Sequence, residues 1–136
     1  MPLDALETDE SRWPIVIHRT IGIPDDDQVD AFVARATQHA LTGETYAIIF
    51  DNTHGGRATT YMRNESKRWL KAHNHLLRKS CAGTAFVFTN PALRFVMSTV
   101  LLVVEFGFEH KVCATVDEAV AWCERQLHKD ALMRAG

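Results

Sequence analysis

Hydrophobic residues along this chain come in short continuous runs separated by stretches where they recur at helical spacing. Trp13 to Thr20 reads WPIVIHRT, rich in β-branched residues, and Gly22 and Pro24 stop it. That pattern predicts a first strand. Asp25, Asp26 and Asp27 follow where a helix would begin. Carboxylates there accept orphan N–H groups and suit the positive end of the helix dipole. Val29, Phe32, Val33, Ala36 and Ala40 then recur at helical spacing until Gly43. Tyr46 to Phe50 (YAIIF) is a continuous apolar run ending in Asp51, the signature of a strand buried on both faces.

A polar loop, Asn52 to Thr59, precedes a long predicted helix over 60–80, with Met62, Trp69, Leu70, His73, Leu76 and Leu77 as its apolar stripe. Gly83 opens a third strand at 84–89. Asn90 and Pro91 form an N-cap and first-turn pair for a third helix that reaches about Val103. A fourth strand covers 110–114. Thr115 with Glu118 makes a capping box for the last helix, continued by Ala119, Trp122, Cys123 and Leu127. The order is strand then helix, four times. It predicts a single α/β domain with a four-stranded, mostly parallel sheet and helices packed over it. The domain spans 13–128, between a flexible acidic lead-in at 1–12 and a tail at 129–136.

Composition sharpens this only at the margins. The 136 residues are 46% hydrophobic and 24% charged, enough for one core and too few for several domains. The formal net charge of -2 speaks against nucleic acid as a partner. Cys81, Cys113 and Cys123 are odd in number and lack CxxC spacing. They read as reduced thiols in a cytoplasmic protein. Met1 to Arg12 has no apolar run and so does not read as a signal peptide. The greasiest stretch, Phe95 to Phe108, is interrupted by Glu105, and about ten residues fall short of the about twenty that span a bilayer. No transmembrane segment is expected.

Candidate chemistry is sparse. Thr53-His54-Gly55-Gly56-Arg57 lacks the spacing and the lysine of a phosphate loop, and no GxGxxG occurs. His73 and His75 stand two apart, so a helix turns them to different faces and they do not form a metal pair. No cysteine or serine sits in a nucleophile motif. The sequence therefore offers no catalytic residue, no metal and no cofactor. Asp51 closes a central strand at the edge where open α/β sheets place ligands. Charge is segregated. Asp4, Glu7, Asp9, Glu10, Asp25, Asp26, Asp27 and Asp30 dominate the first thirty residues, and Arg57, Arg63, Lys67, Arg68, Lys71, Arg78 and Lys79 dominate 57–79. The basic stretch is either a solvated face or a docking surface for an acidic partner. In the third helix Leu93, Phe95, Val96, Met97, Val100, Leu101 and Val104 leave little polar face. That suggests burial, a homodimer seam or an apolar-ligand surface.

The strand YAIIFD at 46–51, the helix ATTYMRNESKRWL at 58–70, the segment CAGTAFVFTNPALRFV at 81–96 and the closing VCATVDEAVAWCERQL at 112–127 together resemble the SpoIIAA-like, or STAS-like, superfamily of small bacterial proteins. The likeness covers about 13–128. It implies a non-enzymatic regulatory module of the anti-sigma-factor-antagonist type that binds another protein. Such modules are switched by phosphorylation at the start of the helix after the aspartate-ended strand. The matching phosphoacceptor is Thr60, which would otherwise be a plain N-cap. The matching surface is Asp51, Asn52, Thr53, Arg57, Thr59, Thr60 and Arg63. The family's acidic residue before the phosphoacceptor is replaced by Thr59. Related folds resemble lipid carriers, so an apolar-ligand carrier with a cavity beside the third helix is the alternative, and a small enzyme the third reading.

Overall fold

The computed structural model describes residues 5–103 and 108–135. Five strands and four helices run β1 (Leu6–Arg12), β2 (Ile15–Thr20), α1 (Asp26–Leu41), β3 (Tyr46–Asp51), α2 (Thr60–Ser80), β4 (Cys81–Val87), α3 (Pro91–Val103), β5 (His110–Cys113) and α4 (Val116–Ala135). The strands lie in one sheet in the order β1-β2-β3-β4-β5. β1 is antiparallel to β2, and β2 to β5 are parallel. This is an α/β domain with a mixed sheet.

Two boundaries differ from the sequence expectation. The acidic lead-in contains a fifth strand, because its polar residues find partners on the neighbouring elements. Thr8 Oγ1 bonds His18 Nδ1 at 3.0 Å, Asp9 pairs with Arg19 at 3.2 Å, and Glu10 takes up Arg35 and His39. Those donors hold the Asp9 and Glu10 carboxyls below their ordinary range, with Ser11 the largest influence on Asp9 and Arg35 on Glu10. A charged strand also suits a sheet edge, where it discourages pairing with other chains. The expected tail is the end of α4. Arg134 bonds Asp130 one turn back and donates to the Lys79 carbonyl at the end of α2. Met1–Asp4 and Gly136 lie outside the described residues.

Side-chain alternation gives the sheet two different faces. Ile15, Ile17, Ala47, Ile49, Ala85 and Val87 point to one side and form the main core with Ala119, Val120, Trp122 and Cys123 of α4. Gly83 lets Trp122 close onto β4, since a Cβ there would meet the indole at 2.7 Å. Val16, Tyr46 and Ile48 point to the other side and meet Leu77, Trp69 and Leu70 of α2. Burying such aliphatic side chains contributes roughly 1.5–3 kcal/mol each. α1 packs alongside α2 over this second face. Asp25 starts α1 with a full capping box, its carboxylate accepting from Gln28 N–H at 2.8 Å.

Candidate functional site

The second sheet face does not close completely. A partly enclosed cavity of about 290 Å³ lies between the sheet and the α1–α2 layer. Strand pairing builds its floor. His18 on β2, Phe50 on β3 and Phe86 on β4 occupy one register row across three strands. Their rings are nearly parallel, with His18 to Phe50 at 5.6 Å and 27°, and Phe50 to Phe86 at 5.4 Å and 18°. The next rows contribute Ile48 with Thr84, and then Tyr46. Phe32, Val33 and Ala36 of α1 and Met62, Ser66 and Trp69 of α2 form the roof. Two hydrogen bonds join the roof helices. Trp69 Nε1–H donates to Thr37 Oγ1 at 2.8 Å, and the Tyr61 hydroxyl donates to Asp30.

Polar groups are few in this lining and they are individually placed. His18 is only 3% exposed. Burial, with a smaller push from His39, lowers its pKa to about 3, so the ring is neutral at physiological pH. Its Nδ1 faces Thr8 across the edge strand, and the edge of the Phe32 ring stands over it at 4.8 Å and 81°. Its Nε2 makes no hydrogen bond among the described residues. Tyr46 is sandwiched beside Trp13 at 5.7 Å and 12°, and its hydroxyl is fully buried with no partner. Burial raises the Tyr46 pKa, so it stays a phenol. Among the described residues no Asp, Glu, Lys or Arg lines the cavity.

Apart from Asn52, the site residues singled out from sequence lie elsewhere. Asp51 points to the α4 face and is 2% exposed. It faces Arg19 at 3.6 Å and His54 at 3.7 Å, and accepts from Thr53 N–H at 3.0 Å. Because the strand order never reverses, the sheet edge beside Asp51 has no switch-point crevice of the kind that holds ligands in doubly wound folds. Asn52 N–H bonds the Val87 carbonyl and Arg57 N–H the Gly22 carbonyl. Asn52 also lines the cavity rim. Gly56 seats the loop, since a Cβ there would stand 2.4 Å from the Thr20 carbonyl oxygen. The N-cap of α2 is Thr59, whose Oγ1 accepts from Met62 N–H at 3.1 Å, so Thr60 is the first helical residue. Arg63 reaches Thr60 Oγ1 at 3.3 Å and the Ala58 carbonyl at 3.1 Å.

α3 lies against β5. Leu93, Phe95, Val96 and Val100 are exposed, Phe95 at 75%, while Met97 is half-buried and Leu101 buried. Val104 lies outside the described residues. No described residue of α3 lines the cavity, which lies under α1 and α2 where a cavity beside α3 was expected. The lining rings escaped the sequence reading because they sit on five different elements.

All three cysteines are free and buried, and burial raises their pKa, that of Cys123 to about 12. They are poor nucleophiles in this state. Among the described residues no three His, Cys, Asp or Glu side chains gather in a way that could hold a metal, and no helix is long and apolar enough to cross a membrane. No family model, curated protein or solved structure matches the chain.

Proposed function

We propose that this domain binds a small apolar molecule between its sheet and its α1–α2 layer. The observation that carries the reading is the open space itself. Protein interiors are normally filled to crystal-like density. Here about 290 Å³ stays unfilled behind rings and aliphatic side chains. Empty space forfeits dispersion contacts, and a ligand of matching shape restores them. Pockets for small ligands have this character, largely apolar with a few placed polar groups. The resemblance to STAS-like proteins, with lipid carriers among the related folds, is in keeping with this reading.

A ligand that binds only the folded state raises the melting temperature in proportion to the logarithm of its concentration. Benzene, cyclohexane, naphthalene and 1-octanol form a suitable probe panel. At least one is expected to raise Tm in a concentration-dependent way. Ala36→Leu, which fills the roof side of the cavity, is expected to abolish that rise. A folded wild type whose Tm responds to none of them overturns the reading.

A second reading, a regulatory module that binds another protein, rests on the start of α2. Thr60 is exposed there with the Arg63 guanidinium on its hydroxyl, and no acidic residue lies in the first turn. A phosphoryl group on Thr60 would meet both a cation and the helix dipole. Thr60→Glu and Arg63→Glu are expected to change affinity for such a partner with little effect on stability. Intact-mass measurement of protein from its own cells tests for the phosphate, and a chain that carries none counts against the switch.

A further inference from the structure

The cavity carries more information than its volume. Its floor is a row of three nearly parallel rings, and its roof brings the Phe32 ring edge-on to one of them. Aromatic surfaces favour flat aromatic partners, because offset-stacked and edge-to-face contacts match the quadrupoles of both rings. The size limits the ligand as well. A space of about 290 Å³ is close to twice the ~150 Å³ cavity that accepts benzene in an engineered apolar core.

Two polar atoms of the lining residues make no hydrogen bond among the described residues. One is His18 Nε2, on a ring that is 97% removed from solvent and fixed at Nδ1 by Thr8. The other is the Tyr46 hydroxyl. Of the two, only the Tyr46 hydroxyl is fully sealed, so His18 Nε2 is the atom left for a molecule in the cavity to meet. A ligand with a matching polar group would satisfy it, as buried polar groups nearly always are. That group is uncharged, because no Asp, Glu, Lys or Arg among the described residues lines the cavity to balance a charge.

Resting on the ligand-binding reading above, we infer that the ligand is a flat molecule of one or two aromatic rings carrying one neutral hydrogen-bonding group. Its rings lie against the His18–Phe50–Phe86 row and its polar group bonds His18 Nε2. Either tautomer serves. If Thr8 donates to Nδ1, Nε2 carries the proton and donates. If Nδ1 donates to Thr8, Nε2 accepts. A phenolic hydroxyl satisfies both cases.

The test compares naphthalene, 2-naphthol and 1-octanol binding to the full chain at pH 7.5 by NMR titration. 2-Naphthol is expected to bind at least about tenfold more tightly than naphthalene, the effect of one buried hydrogen bond. His18→Phe is expected to bring 2-naphthol down to the naphthalene affinity while naphthalene itself changes less than about threefold. Should that variant not fold, the wild-type imidazole resonances decide: the His18 Nε2 shift moves with 2-naphthol and stays with naphthalene. Equal affinities for the two ring probes overturn the hydrogen-bond anchor. A preference for 1-octanol over both overturns the aromatic class and leaves the pocket reading standing. No saturable binding by any of the three overturns the pocket reading itself, and this inference with it.

Discussion

The imidazole of His18 lies 5.6 Å from the ring of Phe50, at paired positions of β2 and β3. A titratable ring is thereby built into an aromatic surface, where its charged form is unwelcome. Thr8, Phe32, His39 and, further off, Glu10 complete its surroundings.

That placement makes stability depend on pH with a definite sign. The folded-state pKa of His18, about 3, lies below the ordinary 6.5. Between those values the unfolded chain binds the extra proton, so stability is complete above about pH 6.5 and falls as pH decreases. Asp9 and Glu10, with lowered pKa values, add their own loss as pH falls through their ordinary 3.8 and 4.5. The His18 contribution is separated by comparing the wild type with His18→Phe over the window from about pH 6.5 to 5. Urea unfolding across it should show a decline of up to about 1.4 kcal/mol per pH unit. His18→Phe should flatten that decline. An unchanged slope in the variant would contradict the neutral, buried assignment.

Tyr46 bears a different burden. Its hydroxyl is buried without a partner, which costs stability in the unliganded domain. Tyr46→Phe keeps the ring against Trp13 and removes the orphan. Its unfolding free energy should rise by about 1 kcal/mol. A loss of similar size would show that the hydroxyl is satisfied in solution.

The roof depends on the bond from Trp69 to Thr37, which also donates to the Val33 carbonyl at 2.8 Å. Thr37→Val keeps the shape and deletes the oxygen that joins α1 to α2. Stability should drop by about 1–2 kcal/mol, and amide exchange should quicken in both helices. Exchange unchanged in α1 and α2 would show that the seam does not hold the roof.

Asp51 should act through the fold. Asp51→Ala leaves Arg19 with Asp9 alone and frees Thr53 N–H at the loop start. A loss of about 2 kcal/mol is expected by chemical denaturation, with the resonances of the β3–α2 loop displaced. A variant of wild-type stability would show that these contacts do not hold the loop in place.

Much of the architecture could be read from the chain. The β-branched and continuous apolar runs and the capping residues marked β2, β3 and α1 to within a few residues, because local chemistry decides those elements. Thr115 and Glu118 likewise form the expected capping pair, with Glu118 N–H on Thr115 Oγ1 at 3.1 Å. β1 was illegible for a physical reason. Its sequence LETDESR is charged, and what makes it a strand is the set of partners on β2 and α1, at separations that local pattern cannot see. The cavity was illegible in the same way. His18, Phe32, Phe50, Trp69 and Phe86 read individually as core or surface positions, and only the strand register and the helix seam bring them together. The greasy third helix stands out because its composition is unusual, yet none of its described residues lines the cavity.

The most direct test of ligand binding is a titration of ¹⁵N-labelled protein with naphthalene, followed residue by residue. Saturable shifts should gather at Ala36, Ile48, Phe50, Met62 and Ser66 and at the Trp69 indole, which line the cavity. No shift up to the solubility limit, or shifts confined to Phe95, Val96 and Val100 on α3, would contradict the account.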